Sequence, residues 1–379
     1  MKIAIACYPT HGGSGVVASE LGMEMARRGH EVHFVSYQVP FRVDHLQRGV
    51  FFHEVDVTSY PLFRYPPYAL ALATKLVDVV RAHGVQLLHV HYAIPHSISA
   101  ILTKQMCCDC GIRIITTLHG TDITLVGSEA SFAEITRYGI THSDGVTAVS
   151  EYLATATRQQ FGIEQEIRVI PNFIDTAVYS PSRANPELRR RFADDTEHLL
   201  VHLSNFRPVK KVLDVVRIFA RVSRKLPARL LLIGTGPERT AAEEEAESLG
   251  VKHRVCFLGA VDGVADLLAC SSLLLLPSDA ESFGLAALEA MSCAVPVVAT
   301  RAGGVPEVVE HGVTGMLGEV GDVEGMAAMA LSILSDQGRH EEMRAAARRS
   351  AEERFPLGAV VDEYQAYYEE IMARDPEAG

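Results

Sequence analysis

Residues 2–28, KIAIACYPTHGGSGVVASELGMEMARR, decide the fold class, because a strand pattern passes through a glycine-rich turn into an amphipathic helix. Lys2–Cys7 predicts a buried strand, and Val16–Arg28 predicts a helix that ends with Gly29 as its C-cap. The glycines of residues 12–15 allow a ligand to approach the backbone, and the N–H groups at the helix start favour an anion. The stretch therefore predicts the first unit of a doubly wound sheet, although glycines needed only for packing remain the alternative.

The same turn fits the GxGxxA form of a dinucleotide-binding fingerprint, from Gly13 through Gly15 to Ala18. That fingerprint also requires an acidic residue at the end of the second strand, where it holds the ribose. The second predicted strand, Glu31–Ser36, is followed by tyrosine and glutamine, without a carboxylate. A nicotinamide cofactor is therefore not expected.

Strand patterns alternate with amphipathic helical patterns along the whole chain, which predicts parallel sheets flanked by helices. The alternation starts again after Ile174–Asp195, a segment rich in Pro, Ser, Asn and charge. We therefore expect an α/β protein of two doubly wound domains with a cleft between them, residues 1–171 and 172–355, and a C-terminal helix within 356–379 that packs on the first domain. The other predicted strands are Leu87–His91, Ile112–Leu118, Gly145–Val149, Ile167–Ile170, His198–Ser204, Arg229–Ile233, Val255–Leu258, Leu273–Leu276 and Pro296–Ala299, and Lys211–Lys225 and Leu357–Arg374 are predicted helices.

The composition excludes several classes of protein. The 379 residues include 35 Lys and Arg against 47 Asp and Glu, a net charge of −12, which argues against attachment to nucleic acid or anionic lipid through a basic field. No apolar run approaches the roughly 18 residues that span a bilayer. The N-terminus enters a strand pattern at once, without a signal-peptide pattern, so we expect a cytoplasmic protein.

Cysteine and histidine pairs give weak metal signals. Cys107, Cys108 and Cys110 end an apolar helical stretch and are expected to be free thiols, with a zinc or redox site as the lesser alternative. His89 and His91 share one face of a strand, which would permit a metal pair, but no third ligand has a supporting motif. The sequence therefore predicts no metal site.

Polar side chains follow two strands of the first domain. His119 and Asp122 lie at the end of one strand, where they could bind a polyol or orient one another; a purely structural histidine is the alternative. Tyr92 ends another strand and could point to the same place. Because carboxyl ends of parallel strands line ligand sites, these residues are candidates for a binding site.

Two basic residues in the second domain point to an anion. Arg207 and Lys211 lie four residues apart where a loop enters a helix, and their positive charge there opposes the helix dipole. A bound phosphate would offset this repulsion, because the arginine guanidinium can donate two hydrogen bonds to it and the lysine ammonium group can neutralise its charge. A solvated basic helix start is the alternative.

Two glutamates follow in a setting that suits a nucleotide sugar. Glu281 lies in the loop after the buried strand Leu273–Leu276, and Glu289 lies on the next helix. Phe283–Leu285 open that helix with free N–H groups. A nucleotide sugar carries hydroxyl groups and a diphosphate. The carboxylates can accept hydrogen bonds from the hydroxyls, and the N–H groups at the helix start can donate to the phosphates. The spacing alone is common by chance.

Taken in order, the Gly-Gly-Ser turn, His-Gly-Thr-Asp at 119–122, Asn-Phe-Ile-Asp at 172–175, Arg207 with Lys211, and Glu281 with Glu289 resemble the retaining GT-B glycosyltransferases of family 4. The resemblance covers almost the whole chain. Within the family it is greatest to the members that glycosylate L-malate in the first step of bacillithiol biosynthesis. Further stretches that carry it are Cys7-Tyr8-Pro9, 39–42, 65–68 and 89–96.

The resemblance implies transfer of N-acetylglucosamine from UDP-N-acetylglucosamine to the malate hydroxyl, with the acceptor on the first domain and the donor on the second. It implies that Glu289 holds the ribose, that Arg207 and Lys211 neutralise the diphosphate, that Glu281 binds sugar hydroxyls and that His119 lies near the C6 hydroxyl. It assigns catalysis to His119, Arg207, Lys211 and Glu281, the donor to Gly13, Ser14, Arg207, Lys211, Glu281, Ser282, Phe283, Gly284, Leu285 and Glu289, and malate to Ser14, Tyr92, Asn172 and one of Thr116 and Thr117, whose choice depends on strand register.

The sequence contains no Asp-x-Asp, the pattern that binds a diphosphate through a divalent metal, so we expect a metal-independent reaction without a cofactor. The expected partners are two small-molecule substrates, with no nucleic acid and no stable membrane association, and a homodimer is left open. The runner-up is a membrane-associated family 4 enzyme that glycosylates a lipid such as phosphatidylinositol. The aromatic-rich Tyr60–Tyr68 could touch the membrane in such an enzyme, but a lid over the acceptor pocket is the preferred interpretation of that segment. No cluster of basic residues marks a lipid surface. A non-catalytic binding subunit and an epimerase or hydrolase are further alternatives.

Overall fold

Buried aliphatic strands form two parallel sheets in a computed structural model that describes residues 1–10, 12–57, 65–125, 127 and 129–374. His11 and most of the aromatic segment Tyr60–Tyr68 lie outside the described residues. The chain divides into an N-terminal unit, Met1–Asn172 with the chain from Gly358 onward, and a C-terminal unit, Phe173–Leu357. Among the described residues, no helix combines the length and the apolar character that a membrane span needs.

The N-terminal unit is built on a sheet with the strand order β3-β2-β1-β4-β5-β6-β7, in which every pair is parallel. Helices α2 and α3 pack on one face, where Val35 and Leu88 of the sheet meet Leu76 and Ala100 of the helices. The strands are β1 Lys2–Ala6, β2 Glu31–Ser36, β3 Val50–Glu54, β4 Leu87–His91, β5 Arg113–Leu118, β6 Gly145–Ala148 and β7 Arg168–Val169, and the helices are α1 Ser14–Arg27, α2 Tyr68–His83, α3 Ile98–Met106, α4 Ala133–Thr141 and α5 Glu151–Phe161.

The C-terminal unit repeats the pattern with the order β10-β9-β8-β11-β12-β13, again all parallel. Its core joins Leu200 and Leu232 of the sheet to Phe219 and Ile333 of helices. The strands are β8 His198–Leu203, β9 Ala228–Ile233, β10 Val255–Gly259, β11 Leu273–Leu276, β12 Val297–Thr300 and β13 Gly315–Gly318, and the helices are α6 Pro186–Arg190, α7 Val212–Ser223, α8 Arg239–Ser248, α9 Val264–Ala269, α10 Leu285–Ser292, α11 Val305–Val308, α12 Val323–Leu334 and α13 Gln337–Arg354.

The last helix, α14 Leu357–Ala373, returns to the sheet of the N-terminal unit. Its fully buried Tyr368 places its hydroxyl 2.6 Å from Nδ1 of His89 on β4, and the Tyr367 hydroxyl accepts from the Val146 N–H on β6 at 3.1 Å. Three tyrosines of this helix are fully buried, so the helix covers the face of the sheet that carries His89.

The strand orders determine where ligands can bind. In each sheet the order reverses beside the first strand of the unit, between β1 and β4 and between β8 and β11. Ligands of doubly wound sheets bind outside the carboxyl ends of strands at this switch point. The loops after β1, β4, β8 and β11 are therefore the candidate loops, and they hold most of the predicted site residues.

The two Rossmann-like sheets confirm the predicted fold class, but some elements differ from prediction. Strands β3 and β13 were not predicted, because both are short edge strands, one mostly exposed and the other bounded by glycines. Helix α1 begins at Ser14 rather than Val16, and Arg28 is its C-cap, so the prediction of Gly29 was wrong by one residue. Helix α7 starts after Lys211, whose backbone is left-handed at φ 50°.

Candidate active site

The turn after β1 has the backbone that its glycines predict. Gly13 is the N-cap of α1 with φ 59° and ψ −127°, and no described side chain caps the helix. A Cβ at Gly15 would lie 2.7 Å from the carbonyl oxygens of Thr10 and Tyr8, whereas a Cβ at Gly13 would meet no described residue within 4 Å. The described part of the turn is thus tightly packed at Gly15 and leaves space for a ligand beside Gly13 at the helix N-terminus.

Ser14 and Tyr92 are brought together, as the predicted acceptor site requires. The Ser14 hydroxyl donates to the Tyr92 hydroxyl at 2.7 Å, which joins the start of α1 to the end of β4. Tyr92 has φ 85°, an uncommon backbone for a bulky side chain, and its ring lies 5.2 Å from that of His119. One polar cluster at the carboxyl ends of β1, β4 and β5 therefore contains three of the predicted residues.

His119 is held by a second histidine. Its Nε2 lies 2.8 Å from Nδ1 of His91, and the two stacked rings share one proton between these atoms. Burial and the charge of His96 lower the pKa of His119 to about 3, so its ring is neutral at pH 7. His119 can therefore exchange a hydrogen bond with a sugar hydroxyl without carrying charge.

His96 is a site residue that sequence reasoning did not single out. Its Nδ1 donates to the carbonyl oxygen of His91, so Nε2 carries a lone pair, and this buried atom has no partner among the described residues. The ring packs 4.6 Å from that of Tyr8, in the loop after β1. A buried acceptor without a donor is expected to bind one from a ligand or water.

Asp122 fixes the loop that carries His119. One carboxylate oxygen accepts from the N–H groups of His119 and Gly120 at 3.2 and 2.9 Å, and the other accepts from the Ala93 N–H at 2.8 Å. Burial raises the pKa of Asp122 to about 6, although these N–H groups oppose the shift. Asp122 therefore orients His119 through its backbone N–H rather than through its ring, and it links the loops after β4 and β5.

The predicted threonines lie inside the unit. Thr116 bonds the Ser143 hydroxyl at 2.8 Å, whereas Thr117 bonds the Thr147 hydroxyl and Nε2 of His89, each at 2.7 Å. Both are fully buried, and their hydroxyls already have partners, so neither is placed to contact malate. The other predicted acceptor residue, Asn172, has a buried Oδ1 with no partner among the described residues.

Side-chain hydrogen bonds inside the unit account for His89 and His91, the histidine pair on β4. Both ring nitrogens of His89 are used, one by Thr117 and one by Tyr368, and burial lowers its pKa to about 3. His91 bonds His119 instead. The two rings are thus parts of the packing beneath the cluster and do not converge on a common metal position.

In the C-terminal unit, Arg207 and Lys211 flank a short helical turn, Pro208–Lys210, that follows β8. Arg207 is exposed and makes no ion pair with a described residue, whereas Lys211 Nζ lies 3.0 Å from Oδ2 of Asp279. Exposed ion pairs of this kind contribute about 0–1 kcal/mol, so Lys211 can exchange Asp279 for a phosphate at little cost.

Lys210, which the sequence analysis passed over, orients Glu281. Lys210 Nζ lies 2.7 Å from Glu281 Oε1, and the Ser278 hydroxyl donates to the same oxygen at 2.9 Å. Both contacts converge on Oε1, which leaves Oε2 to accept from a ligand hydroxyl. Two adjacent lysines were visible in the sequence, but only the fold shows that Lys210 reaches Glu281 and Lys211 reaches Asp279.

A glycine pair after β12 holds the Glu281 backbone. A Cβ at Gly303, which has φ 61°, would lie 1.9 Å from the Glu281 carbonyl oxygen, and a Cβ at Gly304 would lie 2.3 Å from that of Ser282. The Gly304 N–H donates to the Glu281 carbonyl at 2.8 Å. The close approach of the two loops therefore requires glycine and places Glu281 beside the start of α10.

We expect Gly303→Ala to destabilise the C-terminal unit and to weaken donor binding, because the new Cβ would displace Glu281. Gly250→Ala is the matched control, since Gly250 also has a positive φ, 71°, but its Cβ would meet nothing within 4 Å. Both variants incur about 1–2 kcal/mol for the left-handed backbone, and Gly303→Ala loses a further 1–3 kcal/mol or so to overpacking. Urea unfolding measures the difference, and equal losses in the two variants would contradict the role of the glycine pair.

The start of α10 has the form expected of an anion site. Gly284 is its N-cap, with φ 98°, and no described side chain caps the helix. Phe283 is buried against Phe355, which fixes the loop before the helix. Glu289 lies one turn beyond Leu285 and accepts from the Tyr179 hydroxyl at 3.0 Å. The open helix N-terminus and the two glutamates thus lie along one short segment.

Comparison with known proteins decides the family. The family model described as Glycosyltransferase Family 4 matches residues 11–178, and that described as Glycosyl transferases group 1 matches residues 185–350. The N-acetyl-alpha-D-glucosaminyl L-malate synthase of Bacillus anthracis is 47% identical over 376 residues, covering 99% of this chain and 98% of that protein. The chain belongs to the family 4 glycosyltransferases.

Other relatives of this glycosyltransferase are more distant. A GDP-mannose-dependent phosphatidylinositol monomannoside mannosyltransferase of Mycolicibacterium smegmatis is 26% identical, covering 78% of this chain and 80% of that one. A crystal structure of Anabaena HepE in complex with UDP-glucose superposes with a TM-score of 0.83 at 22% identity, covering 98% and 100% of the two chains. At that identity the likeness establishes the shared GT-B fold.

Proposed function

We propose that this glycosyltransferase transfers N-acetylglucosamine from UDP-N-acetylglucosamine to the hydroxyl of L-malate in the cytoplasm, with retention at the anomeric carbon and without a metal ion. The observation that carries the proposal is the 47% identity, over nearly the full length of both proteins, with the Bacillus anthracis synthase. The polar clusters at the carboxyl ends of both sheets provide groups of the kind that this chemistry needs.

The donor is assigned to the C-terminal unit. Arg207 and Lys211 neutralise the diphosphate together with the N–H groups at the start of α10. Glu289 accepts from the ribose hydroxyls, and Oε2 of Glu281 accepts from a sugar hydroxyl while Lys210 holds Oε1. These groups bind both ends of a nucleotide sugar without an ion.

The acceptor is assigned to the N-terminal unit. A dianionic malate is not attracted by a protein with a net charge of −12, so its capture must depend on local donors. The N–H groups at the start of α1 and the Tyr92 hydroxyl, which itself accepts from Ser14, supply such donors, and the side-chain amide of Asn172 can donate to a malate carboxylate. Thr116 and Thr117 have no part in this proposal.

In the proposed step, the malate hydroxyl oxygen bonds to the anomeric carbon as the bond from that carbon to the diphosphate oxygen breaks. The hydroxyl proton passes to the departing diphosphate, on the same face of the sugar, so no carboxylate nucleophile is needed. Lys211 and Arg207 stabilise the negative charge that grows on the leaving UDP. His119, neutral at pH 7, positions the sugar through a hydrogen bond.

Release of UDP in the presence and absence of malate tests this function. We expect rapid release only when malate is added to UDP-N-acetylglucosamine. Phosphatidylinositol vesicles in place of malate test the alternative that the mycobacterial relative suggests. Release that needs the vesicles, or that proceeds equally without any acceptor, would contradict the proposal.

We expect turnover to survive EDTA, because side chains and helix N-termini replace a divalent metal at the diphosphate. The measurement is the initial rate after dialysis against EDTA, at a temperature well below that of unfolding. A rate that falls and is restored specifically by Mg²⁺ would contradict the metal-independent mechanism.

A further inference from the structure

We propose that His33, His53 and His83 form a binding site for a divalent transition-metal ion, with zinc as the first candidate. One ring nitrogen from each of the three residues lies within 4.8 Å of the others, and among the described residues these histidines form a group that could hold a metal ion. The site does not rest on the proposed transfer reaction, and it uses none of the residues assigned to it.

The sheet register brings two of the histidines together. In the parallel pair of β2 and β3, His33 lies opposite Phe51 and Val35 lies opposite His53. Alternate residues of a strand share a face, so both histidines lie on the face that carries Val35. Val35 packs in the core under α2, so this is the face that α2 covers.

The third histidine comes from α2 itself. His83 is the last residue of the helix, before the left-handed Gly84, and its ring centroid lies 4.5 Å from that of His33 and 5.2 Å from that of His53. A helix C-terminus carries partial negative charge, which favours a cation. Three separate elements thus direct imidazoles to one point.

The hydrogen bonds of His33 fit those of a metal ligand. Its Nε2 lies 3.0 Å from the Glu31 carboxylate, so the proton resides on Nε2, and Nδ1 presents its lone pair to the cluster, 2.8 Å from Nε2 of His53. A carboxylate that binds the far nitrogen of a histidine is the usual outer partner at metal sites. In the metal-free protein this lone pair accepts a hydrogen bond from the N–H of His53, and a metal ion would replace that hydrogen.

The exposure of the rings also suits a metal. His33 is buried, whereas His53 and His83 are half-buried and can move to complete a tetrahedral site, which needs nitrogens about 3.3 Å apart. Water would fill the fourth position.

A metal ion at this site would link β2, the edge strand β3 and helix α2, because each of them contributes one histidine. The cluster extends from the amino end of β1, where the backbone oxygen of His83 accepts from Lys2 Nζ, to His53, the fourth of the five residues of β3, and it shares no residue with the candidate acceptor site. Since the three histidines converge only in the folded chain, the metal stabilises the native state. We expect it to raise the melting temperature and to leave the transfer step unchanged.

The test uses untagged protein stripped with a chelator and titrated with Co²⁺ and then Zn²⁺. We expect one Co²⁺ per chain, with visible absorption of a tetrahedral site and no thiolate charge-transfer band, displacement by Zn²⁺, and a higher melting temperature with either ion. His53→Gln and His83→Gln should each weaken binding by at least about tenfold. Glu31→Gln, which keeps all three imidazoles, should weaken it by about 10–100-fold.

A control variant separates this site from other ligands. His142→Gln removes an exposed histidine near Cys107 and Cys108 and should have no effect on binding. Absence of stoichiometric binding, binding that ignores the His53 and His83 variants, or a thiolate band that disappears in Cys108→Ser would overturn the proposal.

Discussion

We expect Lys211→Ala to lower kcat by about 10²–10³-fold, while the affinity for UDP falls far less. The reason is that negative charge grows on the diphosphate as its bond to the sugar breaks, so a lysine beside it stabilises the transition state more than the bound donor. Lys211 is suited to this role because its present partner, Asp279, forms only an exposed pair. Steady-state kinetics and calorimetric titration with UDP measure the two effects.

Asp279→Asn is the matched control for Lys211. It breaks the same ion pair at 3.0 Å but keeps the ammonium group, so kcat should stay close to that of the wild type. If Asp279→Asn were as slow as Lys211→Ala, the ion pair itself would matter, through the contact it makes between the loop before α7 and the loop after β11. Equal losses of kcat and UDP affinity in Lys211→Ala would also contradict the proposed role.

Glu281→Gln and Glu289→Gln should affect different parts of the donor. Hydrogen bonds to charged groups contribute about 1.5–3 kcal/mol, so each loss corresponds to roughly 10–100-fold. Glu289→Gln should weaken UDP and UDP-N-acetylglucosamine equally, because the ribose is common to both. Glu281→Gln should lower kcat/KM for the sugar donor and leave UDP binding unchanged, because UDP has no hexosamine for Glu281 to hold.

Each glutamate has a control in the residue that contacts it. Tyr179→Phe removes the hydroxyl that donates to Glu289 at 3.0 Å, and Ser278→Ala removes one of the two donors to Glu281. Both should have smaller effects than the glutamate variants. If Glu281→Gln weakened UDP itself as strongly as the sugar donor, the assignment of Glu281 to the hexosamine would be wrong.

The sequence was sufficient for the fold because the central strands are buried on both faces. Glu31–Ser36, Leu87–His91 and Leu273–Leu276 were predicted with the bounds that the structure has. A fully buried parallel strand is a short apolar run between polar segments, which is easy to recognise. Edge strands such as β3 have one exposed side and lose that signal.

The side-chain contacts of the candidate active site could not be predicted as well as the fold. Which of Lys210 and Lys211 meets Glu281 depends on the left-handed turn at Lys211, and the orientation of Thr116 and Thr117 depends on register. Asp122 bonds backbone N–H groups that only the folded loop assembles. Spacing along a chain identifies which loops meet, but hydrogen-bond partners arise from the three-dimensional path of each loop.

The three-histidine cluster shows the same limit. His33, His53 and His83 lie 20 and 30 residues apart with no motif, and one of them is on the strand that the sequence analysis missed. The pair that did share a predicted strand face, His89 and His91, bonds tyrosine, threonine and histidine instead. Convergence on a metal position depends on tertiary packing of β2, β3 and α2.

Transfer of N-acetylglucosamine to malate with retained configuration is tested most directly by NMR of the product formed from UDP-N-acetylglucosamine and L-malate. We expect a single product, an α-linked N-acetylglucosamine on the malate hydroxyl oxygen, formed in equal amount with UDP. Free N-acetylglucosamine with unchanged malate, or a β-linked product, would contradict it.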